Sequence, residues 1–534
     1  MINIPDTCHL EIQTHRKNPC GVLRTTYREN GKSLHENIAR FTGYSLEQLK
    51  ALRSAFQNKV VPKEDFNIIS NREYGASYAC LSILKELELH KAIHSHSSQE
   101  WVKAAVAMIV GRLVYQGSKL SLSNCPAYSA LWEICGIEGE IDVKTHCYDA
   151  MDKLFSRQDA IQQALAKKHL QDGALVLYDI TSCYMEGEYD DSEIVAFGYN
   201  RDKKRGHEQI VISLLCNKDG CPIATEVFKG NTKDETTVLE MIDNLKQKYG
   251  LSKIIFAGDR GMITQINYSQ IDHETVKVIS ALNHHKIQEL CDRGTLQLSL
   301  FDENGIVEVI ENENRYMLRK NPAMAVKETK IRQELLKKTT DELDKIIAST
   351  RKTKNSKAVR AGKVVGKYKM AKFIIFDGAD NNISYKVDIE KVEKEAALDG
   401  CYIIFTDVSK EDISAAEAVN SYKSLIQVEQ AFRNLKTAHL EIRPVYHKTD
   451  DRIKCHVFIC MMAYYVMWHM RKRLAPLADI DGVGEDRKYS FDYILKSLKS
   501  ICLNTVDFIG AQTNIISTPN NEQTHILNLL GVVI

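Results

Sequence analysis

The chain has 534 residues, of which 44% are hydrophobic and 26% are charged, a composition typical of globular proteins. A single hydrophobic core does not extend over this length, so we expect three or four domains. The formal net charge of +1 excludes a protein that is drawn to nucleic acid by its overall charge, so any DNA-binding surface requires a local cluster of basic residues.

The cysteines and the apolar segments predict a cytoplasmic protein. Cys216 and Cys221 flank a predicted hairpin turn, but a structural zinc site needs four ligands, so we expect buried, reduced thiols. The longest apolar run, residues 457–468, covers about half of a membrane span. The N-terminus does not resemble a signal peptide. We therefore expect no membrane partner.

Residues 1–170 are predicted to form a mainly helical N-terminal region. Residues 34–52 contain two short helical patterns around Thr42 and Gly43. This spacing fits a helix-turn-helix that reads DNA, and it fits any other helical hairpin equally well. Residues 101–115 are apolar at helical spacing and are predicted to be core.

From about residue 171 the pattern changes to strands, and two of these strands end at an aspartate. Residues 174–181 form an apolar run that breaks at Asp179, and residues 253–261 repeat the pattern at Asp259. A hairpin and a helix are predicted between them. Strand, hairpin, helix and strand form the beginning of an RNase H-like fold. Carboxylates at the ends of buried strands commonly point into a site, although aspartate is also a favoured turn residue.

Residues 291–396 are predicted to be a β-rich, basic insertion in this fold. Residues 296–318 alternate like a hairpin, with Asn304-Gly305 as the turn. Residues 351–369 carry eight basic residues and no acidic one. Such a run is either a solvated linker or the local cluster that DNA binding requires. In the second case the candidate DNA contacts are Arg351, Lys352, Lys354, Lys357, Arg360 and Lys363.

Residues 422–436 are predicted to form one helix with two different faces. At about 100° per residue, one face is an apolar stripe suited to packing. The other face, within about 60°, carries Tyr422, Glu429, Arg433 and Lys436. Such a charged face could simply lie in water.

Together with Asp179 and Asp259, Glu429 completes a set of oxygen ligands for a hard divalent cation such as Mg²⁺. Asp399 is a rival ligand. We rank Asp399 below Asp259, because Asp399-Gly400 is typical of a turn.

Several motifs, in this order, resemble those of bacterial insertion-sequence DDE transposases. The resemblance is to the group marked by Tyr, Arg, Glu and Lys at fixed spacing, in the insertion-sequence-four superfamily, and it is dense over roughly residues 170–475. The arginine position of that signature is occupied by Leu425. The motifs are Tyr178-Asp-Ile-Thr, Gly230-Asn-Thr-Lys-Asp-Glu-Thr-Thr, Gly258-Asp-Arg-Gly-Met, Leu398-Asp-Gly-Cys-Tyr, Val428-Glu-Gln-Ala-Phe-Arg-Asn-Leu-Lys, Arg443-Pro-Val-Tyr-His and His456-Val-Phe-Ile-Cys.

The resemblance implies an enzyme that cleaves DNA at transposon ends and transfers the freed strand into target DNA. It implies two Mg²⁺ ions per site, with Mn²⁺ able to substitute. Asp179 would bridge the ions, and Asp259 and Glu429 would hold one each. Tyr422, Arg433 and Lys436 would contact DNA. If a base-flipping wedge exists, Tyr316 or Tyr368 could supply it.

The implied partners are double-stranded DNA and a second copy of the chain in the DNA complex. The implied location is the bacterial cytoplasm, in association with the nucleoid. Two alternatives stay open. The first is a structure-specific nuclease of the same fold without strand transfer. The second is a catalytically idle DNA-binding relic, against which the intact set of carboxylates argues.

The predicted fold class is mixed α/β, an RNase H-like core interrupted by the insertion. Five segments are expected: residues 1–170 (helical, DNA-end binding), 171–290 (first part of the core), 291–396 (insertion), 397–475 (second part of the core, with Glu429) and 476–534 (a tail without an assigned role).

Overall fold

The structure is a computed structural model, and it describes residues 8–14, 18–29, 32–58, 66–202, 204, 206–302, 306–349, 354–377, 383–437, 440–477, 489–508 and 511–534. The chain forms two compact units. The first unit comprises residues 1–157, 438–441 and 462–534, and the second comprises residues 158–437 and 442–461. The division into five segments stays a prediction.

The first unit begins with a three-stranded antiparallel sheet. Its strands are β1 (Cys8–Gln13), β2 (Cys20–Glu29) and β3 (Lys32–Thr42), and helix α1 (Leu46–Asn58) packs against β1. The helix-turn-helix predicted over residues 34–52 is therefore wrong, as is any helical hairpin there. Residues 34–42 pair with β2, and this partner overrides the local helical pattern.

Helices dominate the rest of the N-terminal region, as predicted. Strand β4 (Phe66–Glu73) precedes them. Nearly all of α4 is buried, which confirms the predicted core segment. The helices are α2 (Gly75–Glu86), α3 (Leu89–Ile93), α4 (Glu100–Val114), α5 (Lys119–Ser123), α6 (Leu131–Ile134) and α7 (Asp149–Phe155), with a 3-10 turn at Cys125–Ala127 and a π-helical segment at Val143–Tyr148.

The second unit contains an RNase H-like sheet, which confirms the predicted fold class. Five of its strands lie in the order β7-β6-β5-β8-β9; β5, β8 and β9 are parallel, and β6 is antiparallel to both β5 and β7. The elements are α8 (Gln158–His169), β5 (Ala174–Tyr184), β6 (Gln209–Asn217), β7 (Pro222–Lys229), α9 (Asp234–Gln247), β8 (Ile254–Gly258), α10 (Gln265–Gln270) and β9 (Val276–Ala281).

The insertion extends this sheet and is more helical than predicted. Its two hairpins are β10 with β11 and β12 with β13, and the first hairpin joins the main sheet through β14. Lys320, the last residue of β11, pairs with Cys401, the first residue of β14. The elements are α11 (His284–Asp292), β10 (Val307–Glu311), β11 (Asn314–Lys320), α12 (Pro322–Ala348), α13 (Lys354–Lys367), β12 (Ile374–Asp377), β13 (Ser384–Val387), α14 (Ile389–Ala396) and β14 (Cys401–Thr406), with short 3-10 segments at Leu298–Asp302 and Ala371–Phe373.

The first hairpin of the insertion turns at a different place from the one predicted. Asn312 and Glu313 connect β10 and β11, with φ of 48° and 68°. Positive φ at both turn residues is the geometry that matches the twist of two paired strands. The predicted turn, Asn304-Gly305, lies outside the described residues.

The helix predicted over residues 422–436 is two helices. They are α15 (Ala415–Lys423) and α16 (Leu425–Lys436), and Ser424 separates them. The Ser424 hydroxyl donates to the carbonyl of Asn420 at 3.0 Å, a local bond by which serine competes with regular helix bonding. Tyr422 and Glu429 are therefore on different helices.

The C-terminal region completes the first unit. Strand β15 pairs with both β16 and β4, so the tail shares a sheet with the N-terminal region. Within the described ranges, no helix combines the length and the apolar character that a bilayer crossing needs. The last elements of the chain are α17 (Asp450–Arg473), α18 (Phe491–Lys499), β15 (Cys502–Phe508), β16 (Ala511–Ile516) and α19 (Asn521–Leu530).

Candidate active site

The strand register brings the two predicted aspartates together. Strands β5 and β8 are parallel neighbours, and Tyr178 on β5 pairs with Gly258 on β8. The next residues along the two strands are Asp179 and Asp259. Because paired strands lie about 4.8 Å apart, these two aspartates are neighbours where β8 ends. Strand β5 continues past Asp179 to Tyr184, so the prediction that this strand ends at Asp179 is wrong.

Helix α16 adds the third carboxylate. It packs on β5 and β6 through the predicted apolar stripe, which is buried, while Glu429 is exposed. Gly220, at the tip of the β6–β7 hairpin, has a φ of +79°, and a Cβ added there would lie 2.4 Å from the side-chain oxygen of Gln427. The hairpin tip therefore meets α16 at a position that only glycine fits.

The three carboxylates influence one another electrostatically. Burial, followed by the charges of Asp259 and Glu429, raises the pKa of Asp179 to about 7. A hydrogen bond from the Ile180 N–H, at 2.8 Å, and the charge of Arg201 act in the opposite direction. Burial is therefore the main reason that the charged form of Asp179 is disfavoured, and the two neighbouring carboxylates add to this effect. Carboxylate oxygens are the ligands that a hard divalent cation prefers, so the chemistry of these three side chains suits such an ion.

Tyr422 contacts one of these carboxylates. Its hydroxyl donates to Asp259 Oδ1 at 3.0 Å, and the N–H of Arg260 donates to the same oxygen at 2.7 Å. Burial, and then the charge of Asp259, raises the pKa of Tyr422, so the phenol remains protonated and acts as a donor. The predicted DNA contact of Tyr422 stays a prediction; the structure shows its hydrogen bond to Asp259.

Lys436 contacts β5 two residues after Asp179 and takes part in an ionic network. Its ammonium donates to Thr181 Oγ1 at 2.6 Å and to Asp202 at 3.1 Å, and Asp202 also binds Arg443. Burial lowers the pKa of Lys436, while Asp202 acts in the opposite direction. Sequence reasoning missed Asp202; its only signal was a single acidic residue within the basic run 201–205.

The other predicted DNA contacts have different environments. Arg433 is exposed on α16, and Arg360 and Lys363 are exposed on α13. Lys357 is buried and donates to the carbonyl of Ile347 at 2.7 Å, so its assignment as a DNA contact is corrected. Arg351 and Lys352 lie outside the described residues, as does the side chain of Lys354.

The described part of the basic run, from residue 354 onward, forms a packed helix and is not a linker. One face of α13 buries Ala361, Val364 and Val365 against Leu343 and Ile346 of α12. This packing holds the exposed basic residues on one side of a helix, an arrangement that the sequence alone did not suggest.

The rival ligand and the two tyrosines proposed as a wedge have structural partners. Asp399 is 5% exposed and binds the guanidinium of Arg332 and the hydroxyl of Thr329. Burial raises the pKa of Asp399, but these hydrogen bonds outweigh burial and lower it overall. Tyr316 is buried in the sheet, and Tyr368 bonds to Glu342. The prediction of Tyr316 or Tyr368 as a wedge is not supported by these positions.

The fold and the carboxylates together indicate the class of protein to which the chain belongs. Two aspartates on adjacent strands of an RNase H-like sheet and a glutamate on a later helix match the carboxylate set that the sequence motifs predicted. The family described as "Transposase DDE domain" matches residues 174–466, which is more than half of the chain. The chain belongs to this family, and Asp179, Asp259 and Glu429 all lie inside the match. DDE transposases use divalent metal ions.

The chain was also compared with solved structures and with curated proteins. A cryo-EM structure of a piggyBac transposase synaptic complex with hairpin DNA is similar to the chain with a TM-score of 0.36 and 9% sequence identity, covering 80% of each chain. A search of curated proteins gave no match.

Proposed function

We propose that this transposase cleaves DNA at the ends of its own element and joins the freed ends to target DNA. The observation that carries the proposal is the convergence of Asp179, Asp259 and Glu429 at one edge of an RNase H-like sheet. Family membership makes the chain a transposase. The carboxylates supply the donor set that phosphodiester chemistry requires.

The metal set that we propose is two Mg²⁺ ions, with Mn²⁺ able to substitute. Asp179 would contact both ions, and Asp259 and Glu429 would hold one each. Such ions, when bound, activate the attacking oxygen and stabilise the leaving oxygen of the phosphodiester. A bound cation would also favour the charged form of Asp179, which burial and the charges of Asp259 and Glu429 disfavour.

The neighbouring side chains position the ligands and the DNA. Tyr422 fixes the Asp259 carboxylate by donating a hydrogen bond to it. Lys436 uses two of its three ammonium donors on Thr181 and Asp202, so one donor is available for a DNA phosphate. Arg433, exposed on the same helix, is a second phosphate contact.

The partner is double-stranded DNA, first as the two transposon ends and then as target. Arg360 and Lys363 are exposed on one helix and would follow the DNA backbone. Because two ends have to be joined, we propose a homodimer in the DNA complex. We place this activity in the bacterial cytoplasm, at the nucleoid.

The finer subgroup that we propose is the one marked by Tyr, Arg, Glu and Lys. Tyr422, Glu429 and Lys436 occupy three of its four positions, and Leu425 occupies the arginine position. Leu425 is 8% exposed at the beginning of α16, where it packs. Beside the carboxylates, the phosphate contacts would therefore come from Arg433 and Lys436.

The test uses the purified full-length protein and DNA that carries the sequences flanking its coding region. Asp179→Asn, Asp259→Asn and Glu429→Gln should each abolish Mg²⁺-dependent cleavage and retain DNA binding. Glu274→Gln, which changes an exposed carboxylate before β9, is the matched control and should cleave normally. Cleavage that persists in any of the three variants would remove that residue from the site.

A second assay separates the transposase from a nuclease of the same fold. Pre-cleaved ends with a free 3′-hydroxyl are offered together with a target plasmid. The proposed function requires joined products with the wild-type protein. Cleavage of intact ends without any joining of pre-cleaved ends would establish the nuclease instead.

A further inference from the structure

Strands β2 and β3 extend beyond the rest of the N-terminal sheet. Strand β2 has ten residues, and all of them pair with β3. Strand β1 pairs only with residues 20–25 of β2. In the part of the chain that the structure describes, residues 26–29 and 32–35 therefore form a two-stranded ribbon without a third strand, and we call this segment the ribbon. A two-stranded hairpin alone is only marginally stable in water, so an extension of this kind indicates a binding partner.

The strand register assigns each residue of the ribbon to one of its two faces. A Cβ added at Gly21 would lie 2.8 Å from the side chain of Leu49, so this side of β2 faces helix α1. Successive side chains of a strand point to opposite faces. The even-numbered residues of β2 and their partners on β3 therefore lie on the face opposite α1, which we call the polar face. From the middle of β2 to the ribbon, the polar face carries Arg24, Thr26, Arg28, Ser33, His35 and Asn37.

Contacts between the strands confirm this assignment and hold the side chains in place. The guanidinium of Arg24 donates to the side-chain oxygen of Asn37 at 2.9 Å and also pairs with Glu11 of β1. The Thr26 hydroxyl lies 3.0 Å from Nδ1 of His35. Four of the six residues of the polar face are exposed, and none of the six is acidic or apolar. The polar face therefore presents hydrogen-bonding groups to solvent in a fixed order.

The opposite face of the hairpin has a different chemistry. Tyr27 and Leu34 are paired there, and they are 46% and 39% exposed. Glu36 lies on the same side and is exposed. Apolar and acidic side chains are poorly suited to the phosphates and base edges of DNA, so the two faces of one hairpin differ in the partner that they fit.

The segment that contains the ribbon is also basic. Residues 8–58 contain eight Lys or Arg residues and four Asp or Glu residues, whereas the formal net charge of the whole chain is +1. Lys and Arg bind DNA by neutralising its phosphates. The N-terminal segment therefore has the local excess of positive charge that the overall composition does not supply.

We infer that the polar face of the ribbon enters the major groove of DNA and reads the base sequence at the ends of the element. This inference rests on the proposed function and adds a sequence-reading surface to it. The major groove is about 12 Å wide and admits a two-stranded ribbon, and arginine and asparagine are the side chains that most often recognise guanine and adenine there. The four residues from Arg24 to Arg28 span about 14 Å of strand, which equals about four base steps.

The experiment measures binding of fluorescent duplexes by anisotropy, with the full-length protein in EDTA so that no cleavage occurs. One duplex carries the sequence that flanks the coding region, and the second has the same bases in scrambled order. The wild-type protein should prefer the first duplex. Arg28→Ala and Asn37→Ala should each reduce this preference about 10-fold, the loss of one base contact. The matched control is Lys32→Ala, which removes an exposed cation from the other face of the ribbon and should leave the preference unchanged.

Arg28→Lys separates base reading from general attraction to phosphate. This variant keeps the positive charge but lacks the planar, two-pronged guanidinium, so it should bind the scrambled duplex like the wild type and lose much of the preference. The inference is overturned if the alanine variants keep the preference, if they weaken binding of both duplexes equally, or if Lys32→Ala has the same effect as Arg28→Ala.

Two further outcomes separate the ribbon from other roles. If Arg28→Ala alters self-association in sedimentation experiments and leaves the preference unchanged, the ribbon contacts a second copy of the chain and the inference fails. Asp179→Asn should lose cleavage and keep the preference for the flanking sequence. A failure of the proposed cleavage chemistry and a failure of the ribbon as a reader of DNA therefore give different results.

Discussion

Replacement of Asp179 by asparagine should stabilise the metal-free protein above neutral pH. The folded state raises the pKa of Asp179 from 3.8 to about 7, through burial and the charges of Asp259 and Glu429. The stability that this group contributes is fully present below its unfolded pKa, at about pH 4, and is lost as the pH rises through about 7. At pH 8 the wild-type fold therefore carries a charged carboxylate that it disfavours, and asparagine removes that charge.

The difference between 3.8 and about 7 sets the size of the effect. Each pH unit corresponds to about 1.4 kcal/mol, so the full difference corresponds to about 4 kcal/mol. Asp179 retains some contact with solvent, and screening reduces this value, so we expect about 2 kcal/mol at pH 8. At pH 4 the wild-type protein and the variant should unfold at similar urea concentrations.

The matched control is Glu226, another carboxyl of the second unit with a raised pKa. Burial, as the largest cause, raises the pKa of Glu226 to about 7. Its carboxylate accepts a hydrogen bond from the side-chain amide of Gln162, at 3.4 Å. Glu226→Gln should also stabilise the protein at pH 8, because it too removes a disfavoured charge.

Urea denaturation at pH 4 and pH 8, in EDTA and in Mg²⁺, distinguishes the two carboxyls. Added Mg²⁺ should stabilise the wild-type protein and Glu226→Gln, because both retain the complete set of site carboxylates. It should stabilise Asp179→Asn far less. Equal stabilisation of all three proteins by Mg²⁺, or an Asp179→Asn variant less stable than wild type at pH 8 in EDTA, would refute the reasoning.

Three further substitutions test the surroundings of the site. Asp202→Asn should slow DNA cleavage about 10-fold, because Lys436 loses a charge-assisted hydrogen bond. The same substitution should cost less when Lys436 is already alanine. If the losses of the two single variants simply add in the double variant, Asp202 does not act through Lys436. Leu425→Ala should lower the free energy of unfolding, measured by denaturation, by about 2–3 kcal/mol. Its cleavage activity, normalised to the amount of folded protein, should be unchanged. A stable variant that fails to cleave would show that the leucine contacts the substrate. Asp399→Ala should cost about 3–5 kcal/mol in thermal or urea unfolding, because a buried arginine loses its partner, while stabilisation by Mg²⁺ persists; loss of the Mg²⁺ effect would return this carboxylate to the site.

The parts of the site that follow from local patterns could be predicted from the sequence. Asp259 follows the apolar strand β8 as predicted, and the stripe opposite Glu429 packs as its helical spacing predicts, but Asp179 lies within β5 and does not end it. The RNase H-like strand order follows from the succession of strand, hairpin, helix and strand. These features depend on periodicity, which a single sequence contains.

The features that were missed depend on partners distant in the chain. Residues 34–42 are a strand because β2 pairs with them, and Lys357 is buried because α12 offers it a carbonyl. Asp202 holds Lys436, which lies on a helix more than two hundred positions later. Local propensity and charge cannot show such contacts, because each of them exists only after the sheet and its helices have assembled.

The pairing of Lys320 with Cys401 has an evolutionary consequence. Strands β11 and β14 are antiparallel neighbours, and the N–H of Asn321 donates to the carbonyl of Gly400 at 2.8 Å. Residues 321–400 therefore leave and re-enter the sheet at one point. A tight turn at this point would connect β11 directly to β14 as a hairpin. An ancestor with such a turn could acquire, shorten or exchange this whole segment while the strands that flank it kept their register. If the exposed basic residues of α13 bind DNA as proposed, that surface could diversify while the sheet stays unchanged.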